Sequence, residues 1–303
     1  MKFSLFHESR IGRRSNNEDR LGHCYSRDAL LLVIADGMGG HLHGEVAAQV
    51  AVQYLIESFQ REATPHLTDP FLFLARGLDR AHQAILDYAM EKDLVDSPRT
   101  TCVACIVQDN LAYWAHAGDS RLYHVRGKRI LNQTRDHSRV QSLIDQGLLD
   151  ERSAQHHPER NRIYSCLGGP VDPQIDFSRK TPLQAGDRLL LCTDGFWGPL
   201  GNERIANALG GGALSVTMPR LLDEALAAGG PEADNLSVIV VDWEESYGED
   251  TTLAVETHTM PLDAHTTLME GFDRPRAQEA ELTDDEIERA IAEIRSTIEK
   301  YSK

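Results

Sequence analysis

The hydrophobic pattern of this chain predicts blocks of β-strands separated by pairs of α-helices. Near the N-terminus the run FSLFH predicts a short strand. The run ALLLVIAD at 29–36 is apolar almost throughout, which is typical of a strand buried on both faces. Apolar residues at helical spacing then predict a helix over 44–60, and a second helix fits residues 70–91.

Strand periodicity returns at residues 100–132, where apolar runs are separated by polar turns, and a polar, helix-prone stretch follows at 136–155. Helices are predicted near 202–209 and 215–228, and the strand NLSVIVVDW ends at Trp243. Extended structure is predicted between them for NRIYSCLGG, QIDFSRK and DRLLLCTDG. Strands in blocks and helices in pairs argue against an alternating doubly wound sheet. The pattern predicts an α+β fold: a central sandwich of two antiparallel β-sheets flanked by pairs of α-helices, in α-β-β-α layers.

The composition changes after Trp243, which predicts a domain boundary. Residues 244–303 carry 16 acidic and 6 basic side chains, so they hold −10 of the formal net charge of −16. Residues 244–281 show no apolar periodicity and are predicted to be an acidic flexible linker that follows a folded domain at 1–243. Residues 282–303 are predicted to form an amphipathic C-terminal helix.

The predicted C-terminal helix begins with a capping box, Thr283-Asp-Asp-Glu286, and carries a narrow apolar seam. An isolated helix of this length is only marginally stable in water, so the seam needs a surface to pack on. Two readings fit: a helix that folds back on its own domain, and a helix that docks on a partner protein or pairs with a second copy. The seam residues are Ile287, Ile291, Ile294, Ile298 and Tyr301.

The charge and hydropathy of the chain exclude several classes of function. A formal net charge of −16 argues against nucleic acid as a partner and against a basic membrane-binding surface, because both require positive charge. No run of 18 apolar residues exists, so no transmembrane helix is predicted, and the N-terminus lacks the apolar core of a signal peptide. The resulting expectation is a cytoplasmic protein.

The five cysteines predict a reduced protein without a disulfide framework. Most of them lie in apolar runs, where a thiol packs as a small hydrophobic group. Cys102 and Cys105 have the spacing of a metal-binding pair, but they lie in a predicted strand, where residues three apart point to opposite faces. We therefore do not expect this pair to chelate a metal.

Acidic residues at the ends of apolar strands carry the candidate chemistry. Glu18-Asp19, Asp36 and Asp194 are predicted to stand at such ends, and Asp234 comes just before the last strand. A single Asp in such a place is usually a turn former or a helix cap. Four such sites gathered at one region of the sheets would repel one another unless a cation neutralised them.

The residue types favour a hard cation and a phosphate. The candidate ligands are oxygen atoms only, with no Cys or His at metal-ligand spacing, which favours magnesium or manganese over zinc. Two such ions a few ångströms apart can clamp a phosphoryl group and activate water. Gly37 lacks a Cβ, so its carbonyl can approach a metal closely. Arg14, five residues before Asp19, is a candidate phosphate clamp because guanidinium matches paired phosphate oxygens.

These residues belong to a longer ordered set that resembles the metal-dependent protein phosphatase family, the type 2C serine/threonine phosphatases, in its bacterial form. Single motifs are weakly specific, but the ordered set over residues 1–243 is highly specific. The matching segments are RSNNED at 14–19, VIADGMGGHLHGEVAA at 33–48, Thr100-Thr101, AGDSRLYHVR at 117–126, TRDHSRVQSLIDQGLL at 134–149, NRIYSCLGG at 161–169, LLLCTDGFWGPL at 189–200 and DNLSVIVV at 234–241.

The resemblance implies a set of metal ligands and the two-sheet sandwich already predicted from the pattern. Asp36 would bridge two metal ions, and Gly37 would offer its carbonyl to one of them. Asp194 and Asp234 would complete the coordination of the other ion. Asp119 matches a position that helps to bind a third, looser ion in bacterial relatives.

The resemblance also implies residues that act on water and on substrate. Glu18 and Asp19 would orient water on the metals, and Arg14 would hold the substrate phosphate. The implied reaction is hydrolysis of phosphoserine and phosphothreonine on phosphoprotein substrates. Water activated by two Mn²⁺ or Mg²⁺ ions would attack phosphorus directly, without a phosphoenzyme. The catalytic residues would be Arg14, Asp36 and Asp194, and the enzyme would reverse a cytoplasmic serine/threonine kinase.

Two positions depart from the family pattern. Eukaryotic relatives place a His after the first Asp-Gly to protonate the leaving group, whereas this chain has Met38, so the general acid is unassigned. His41 and a water on a metal are the candidates. Arg99 stands before Thr100-Thr101 where the family usually has Gly, a change that concerns packing or the cleft rim. His156-His157-Pro158 lies in the region that the family uses as a mobile flap over the cleft.

Two other functions remain open at this point. One is a catalytically weak member that acts as a binding module, and the intact Asp36, Asp194 and Asp234 argue against it. The other is a metal-dependent phosphoesterase that acts on small phosphate esters. A comparison of phosphopeptides with small phosphate esters separates protein substrates from this last class.

Overall fold

The computed structural model describes residues 1–38, 43–154, 157–244 and 256–259. The strands within these ranges are β1 (Phe3–Arg10), β2 (Asp19–Tyr25), β3 (Ala29–Asp36), β4 (Cys102–Gln108), β5 (Leu111–Ala117), β6 (Arg121–Arg126), β7 (Arg129–Gln133), β8 (Asp176–Phe177), β9 (Thr181–Pro182), β10 (Asp187–Cys192), β11 (Leu236–Trp243) and β12 (Glu256–Thr259). The helices are α1 (Gly44–Glu62), α2 (Pro70–Glu91), α3 (Arg139–Asp145), α4 (Glu151–Ala154), α5 (Asp194–Leu209) and α6 (Leu214–Gly229).

The strands form two antiparallel sheets. In the first, named sheet I, the strand order is β1-β11-β10-β6-β7. In the second, named sheet II, the order is β12-β2-β3-β4-β5-β8, and β9 also pairs with β5. Sheet I joins the first strand of the chain to β11, so segments more than 200 residues apart in sequence lie side by side.

Three buried hydrophobic layers hold the sheets and helices together. One layer fills the space between the sheets, the second lies between sheet II and helices α1 and α2, and the third lies between sheet I and helices α5 and α6. Strand β3 serves two of them, because Leu31 and Val33 belong to the helix-side layer and Leu32 and Ile34 to the inter-sheet layer. This two-sided burial explains the apolar run of β3. The predicted α-β-β-α layering is confirmed.

The cysteines take the positions expected of reduced thiols. All five are free, and Cys166 is the least buried of them. Cys102 packs in the layer between sheet II and the helices, whereas Cys105 packs between the sheets. The two thiols therefore point to opposite faces of β4, as the strand period predicts.

Several elements differ from the sequence-based prediction. The polar stretch after FSLFH contains β2, where Arg20 and His23 are buried despite their polarity, so hydrophobic periodicity does not reveal the strand. The helix-prone stretch 136–155 forms two shorter helices, α3 and α4. The helix predicted near 202–209 begins at Asp194, and its glycine- and proline-rich first half, which disfavours helix by propensity, ends at a non-helical Gly201.

Two further segments also depart from expectation. The segment NRIYSCLGG makes only single bridge pairs, Ser138 with Ile163 and Thr100 with Leu167, instead of a strand. Within the predicted linker 244–281, β12 pairs with β2 at the edge of sheet II. Its sequence, ETHT, is too short and too polar to show a hydrophobic period. The helix predicted at 282–303 lies outside the described residues. No helix in the described part of the chain is long and apolar enough to cross a bilayer.

Candidate metal centre

A cleft of about 330 Å³ lies where the two sheets bring several strand ends together. In sheet II, β2 begins and β3 ends beside it, and in sheet I, β10 ends and β11 begins beside it. The lining residues are Arg14, Ser15, Asn16, Glu18, Asp36, Gly37, Met38, Thr101, Asp119, Asn161, Ile163, Asp194, Asp234 and Asn235. Five of these side chains are carboxylates, so the wall of the cleft is strongly acidic.

The fold gathers residues that the sequence analysis selected from distant segments. Among the predicted site residues, Asp19 does not line the cleft, because it is fully buried beneath it. Asp19 is also the first residue of β2 and not the end of a strand, which corrects the sequence-based expectation. Because β2 and β3 are antiparallel, the start of one strand pairs with the end of the other, and Asp19 lies opposite Asp36. The predicted residues that line the cleft are Arg14, Glu18, Asp36, Gly37, Asp119, Asp194 and Asp234.

Asp36 is held at the end of β3 by its backbone. Its N–H donates to Thr101 Oγ1 at 3.1 Å, and its carbonyl accepts from Thr101 N–H at 2.9 Å. Burial raises the pKa of the Asp36 carboxyl well above its ordinary value, and the negative charge of Asp19 raises this pKa further. Asp36 is therefore a carboxylate whose ionised form needs a positive partner.

Asp19 lies opposite Asp36 in the β2–β3 pair and is buried beneath the cleft. Its Oδ2 accepts a hydrogen bond from Thr193 Oγ1 at 2.9 Å, whereas its buried Oδ1 has no hydrogen-bond partner among the described residues. Burial raises the pKa of Asp19 from 3.8 to about 7, although the nearby hydroxyl groups of Ser237 and Thr193 act in the opposite direction.

Asp194 comes from the opposite sheet and occupies the first turn of α5. A helix N-terminus favours negative charge, so the helix supports the carboxylate there. Burial, followed by the charge of Asp234, raises the pKa of Asp194 to about 6, and a hydrogen bond with the Asp36 side chain opposes this rise. A hydrogen bond between two carboxyl groups requires a shared proton, and a cation can take the place of that proton.

Asn235 organises the loop that carries Arg14 and Glu18, a role that the sequence analysis did not assign. Its Oδ1 accepts from Glu18 N–H at 2.8 Å, and its Nδ2 donates to the carbonyls of Ile11 and Asn16 at 2.8 and 2.9 Å. The available signal in the sequence was an amide side chain directly before a buried strand.

Arg14 and Asp234 contact each other at the rim of the cleft. Arg14 Nη2 donates to Asp234 Oδ2 at 2.6 Å, and the Arg14 side chain is 54% exposed. The other Asp234 oxygen accepts from Asn235 N–H at 2.8 Å. Arg14 therefore combines one anchored N–H with further N–H groups on a side chain that is more than half exposed.

Gly37 is required by packing as well as by any approach of its carbonyl to a metal. A Cβ at this position would lie 2.4 Å from the carbonyl oxygen of Gly44 and 2.8 Å from that of Glu18. The turn after β3 therefore fits against the start of α1 only without a side chain.

The donor set fits hard divalent cations. Glu18 Oε2, Asp19 Oδ1 and Asp119 Oδ1 are buried without a hydrogen-bond partner among the described residues. Buried oxygen atoms of this kind are costly unless a cation or proton satisfies them. Carboxylate and carbonyl oxygens are the ligands of Mg²⁺ and Mn²⁺.

The fold also forms one cluster that the sequence analysis did not foresee. Ligand-type atoms of His116, His137 and Asp176 lie within 4.8 Å of one another, because β5, a loop and β8 meet there. Gly118 N–H donates to His137 Nδ1 at 3.2 Å, so a neutral His137 carries its proton on Nε2, 3.2 Å from Asp176. That proton occupies the position that a metal would need, which argues against a metal at this cluster.

Met38 lies within the described residues, whereas the other positions that depart from or extend the family pattern near the cleft are described only in part. Met38 lines the cleft, and its N–H donates to the carbonyl of Arg99 at 2.9 Å. His41 and His156 lie outside the described residues. Asn161 and Ile163, from the segment that follows His156-His157-Pro158 in sequence, form part of the cleft wall.

The carboxylate pKa values predict how stability depends on pH and metal. Asp19 and Asp194 have raised pKa values in the folded state, so the metal-free protein is expected to lose stability as pH rises from about 4 to about 7. Mn²⁺ bound among these carboxylates would relieve the repulsion between their ionised forms. The rise in melting temperature on adding Mn²⁺ should therefore be larger near pH 7.5 than near pH 5.5. Thermal melts with chelator and with Mn²⁺ at both pH values measure this difference. An equal or larger rise at the lower pH would contradict the carboxylate site.

Comparison with known proteins identifies close relatives in sequence. The family profile described as protein phosphatase 2C matches residues 8–232. The serine/threonine protein phosphatase PstP of Mycobacterium tuberculosis is 36% identical over 238 residues, which cover 78% of this chain and 44% of PstP. A putative protein phosphatase 2C-type of Streptococcus pyogenes is 32% identical over 246 residues, which cover 80% of this chain and 97% of that protein. The matched region thus spans less than half the length of the mycobacterial relative.

A solved structure shares the fold as well. The catalytic domain of the serine/threonine protein phosphatase PstP, crystallised in complex with two manganese ions, superimposes with a TM-score of 0.67. It is 32% identical in sequence, and the match covers 80% of this chain and 99% of that chain.

Proposed function

The chain belongs to the protein phosphatase 2C family, and from this membership and the acidic cleft we propose that it hydrolyses phosphoserine and phosphothreonine on proteins with two bound Mn²⁺ or Mg²⁺ ions. The observation that carries the proposal is the meeting of Asp36, Asp194 and Asp234 with Arg14 in one cleft. A group of carboxylates favours binding of a cation. An exposed guanidinium beside them favours binding of a phosphate, which such cations also bind.

The residues divide into metal ligands and supporting groups. Asp36 and Gly37 would hold one ion, and Asp36, Asp194 and Asp234 the other, with Asp119 available to a third. The relative solved with two manganese ions supports Mn²⁺ as an occupant. When bound, the ions would activate water for direct attack on phosphorus and neutralise the phosphoryl oxygens, so that no phosphoenzyme forms.

The remaining groups orient water and substrate. Arg14 would bind the phosphate through the N–H groups that Asp234 leaves open, and this would align phosphorus with the acidic floor. Glu18, whose Oε2 has no partner among the described residues, would accept a hydrogen bond from water in the cleft. Asp19 lies one layer lower and would act through Thr193 and the charge that it places under Asp36.

Metal-dependent turnover is the first test of the function. Purified protein should hydrolyse a phosphothreonine peptide, lose activity with chelator and regain it with Mn²⁺. The same assay with small phosphate esters of metabolites tests the alternative substrate class, and faster turnover of those esters would favour it. Mn²⁺ binding without hydrolysis of any phosphoester would indicate a binding module.

We also propose a cellular setting for this reaction. An enzyme of this kind reverses a serine/threonine kinase, and we place both in the cytoplasm. The five free cysteines support this, because buried thiols persist in a reducing compartment.

For the C-terminal segment we propose association with a partner protein or a second copy. The isoleucine seam of 282–303 is the sequence feature that supports it. Since β12 belongs to sheet II, the test should truncate after Met269 and not at Trp243. Deletion of 270–303 is expected to leave turnover and melting temperature unchanged and to abolish association measured by light scattering.

A matched pair of single substitutions refines this test. Ile294→Ser in the seam should weaken association, whereas Thr297→Ser outside the seam should not. A large fall in melting temperature on truncation, without any loss of association, would show that the helix belongs to the catalytic domain.

A further inference from the structure

Asp119 lies in a turn that is restrained by contacts with Trp197 on one side and with His137 on the other. It occupies the connection between β5 and β6, is 4% exposed and lines the cleft, and its Oδ1 has no hydrogen-bond partner among the described residues. The preceding Gly118 has φ of +106°, and a Cβ there would lie 2.6 Å from Thr101 Cβ. The turn is therefore tight, and the direction of the Asp119 carboxylate depends on how its backbone is held.

The side chain of Trp197, from the helix that follows β10 of sheet I, contacts the backbone of Asp119. Trp197 Nε1 donates to the carbonyl of Asp119 at 3.0 Å. Trp197 lies in the first turn of α5, three residues after Asp194. One indole thus joins the peptide of Asp119 to the helix that presents Asp194.

The side chain of Arg121 restrains the orientation of the Trp197 indole. The Arg121 guanidinium carbon lies 3.4 Å from the centroid of the Trp197 ring, a cation–π contact. The same guanidinium bonds both oxygens of Asp136 at 2.8 Å, and this pair is largely buried. A buried bidentate pair has a fixed plane, so the ring that stacks on it has little freedom to rotate.

His137 braces the other side of the turn. Its backbone N–H donates to the carbonyl of Gly118 at 2.9 Å, and its Nδ1 accepts from Gly118 N–H at 3.2 Å. The cluster of His116, His137 and Asp176 thereby serves the turn before Asp119.

We propose that Trp197 is a positioning residue that orients Asp119 to bind a third divalent cation. This third ion binds with lower affinity than the two ions of the proposed function, on which this inference rests. The indole N–H restrains the Asp119 peptide, and with it the carboxylate that lines the cleft together with Asp194. Loss of the N–H should therefore weaken the third ion and spare the first two.

Mn²⁺ binding to the full-length protein, counted by electron paramagnetic resonance of the free ion, tests the proposal. Trp197→Phe removes the donor and keeps a ring for Arg121. We expect the third Mn²⁺ to bind about three- to tenfold more weakly, the usual effect of one lost hydrogen bond, and the first two to change less than about twofold. Replacement of Trp197 by benzothienylalanine, which has the shape of tryptophan without the N–H, should give the same result.

A matched control and a double variant separate positioning from general destabilisation. Trp243→Phe removes another indole donor, to Asn110 Oδ1 at 3.2 Å, at the far end of β11, and should leave all Mn²⁺ affinities unchanged. In an Asp119→Asn background, Trp197→Phe should cause no additional loss, because it acts through Asp119.

The outcomes distinguish this inference from the proposed function. A wild-type protein that binds two Mn²⁺ ions but no third would overturn the inference and leave the function intact. An unchanged third affinity in both Trp197 variants would also overturn it. Absence of any Mn²⁺ binding would overturn the proposed function itself.

Discussion

Asn in place of Asp36 or Asp194 is expected to lower phosphopeptide turnover by about a thousandfold without unfolding the protein. Both carboxylates line the cleft, and each is close enough to influence the pKa of the other, so a cation between them would contact both. Metal-ion catalysis supplies several kcal/mol of transition-state stabilisation, and each 1.4 kcal/mol corresponds to a factor of ten in rate. Turnover measured across a range of Mn²⁺ concentrations checks the effect.

The same variants should be at least as stable as the wild type when metal is absent. Burial raises the pKa of both carboxyl groups, so their ionisation near pH 7.5 costs folding free energy that a neutral amide avoids. The melting temperature with chelator should therefore stay equal or rise, and the increase produced by Mn²⁺ should largely disappear. This combination distinguishes lost metal binding from lost folding.

Asp28→Asn is the matched control for both variants. Asp28 lies in the β2–β3 hairpin, at the opposite end of these strands from the cleft, and pairs with Arg27 at 2.9 Å. The Asp28→Asn substitution removes the same charge and should leave turnover and the Mn²⁺ response unchanged. Near-normal turnover of Asp36→Asn or Asp194→Asn at saturating Mn²⁺ would contradict the two-ion assignment.

Arg14→Ala is expected to raise KM for phosphopeptide about ten- to a hundredfold, with a smaller loss in kcat. A guanidinium that binds phosphate in the ground state contributes mainly to KM, and a charge-assisted hydrogen bond is worth about 1.5–3 kcal/mol. Arg14→Lys should recover only part of the loss, since lysine keeps the charge but not the planar fork. Steady-state kinetics with one phosphopeptide measure all three proteins.

Two controls decide what Arg14 does. Arg13→Ala removes the same charge one residue away, from a surface recess formed with Leu226 and Pro231, and should leave KM unchanged. Arg14 also contacts Asp234, so the Mn²⁺ concentration for half-maximal activity must be measured in Arg14→Ala. A large shift in that concentration at constant KM would mean that Arg14 serves the metal ligand and not the phosphate.

The sequence by itself determined the layers of the fold and the chemistry of the cleft. An apolar run such as ALLLVIAD is typical of a strand covered on both sides, and β3 is covered by α1 and α2 on one face and by sheet I on the other. The opposite facing of Cys102 and Cys105 follows from the strand period alone. The oxygen-only set of Asp36, Asp194 and Asp234 indicated hard cations before any geometry was known.

Only the tertiary structure decided how these residues support one another. Glu18 N–H bonds Asn235 Oδ1 across 217 positions of the chain, and Trp197 reaches the Asp119 carbonyl across 78. Periodicity reports which face of its own element a residue occupies. The register between β1 and β11, or the placement of α5 beside the β5–β6 turn, arises from packing between elements that no local pattern encodes. For the same physical reason, the burial of Asp19 beneath the cleft follows from its pairing with Asp36 and not from its neighbours in sequence.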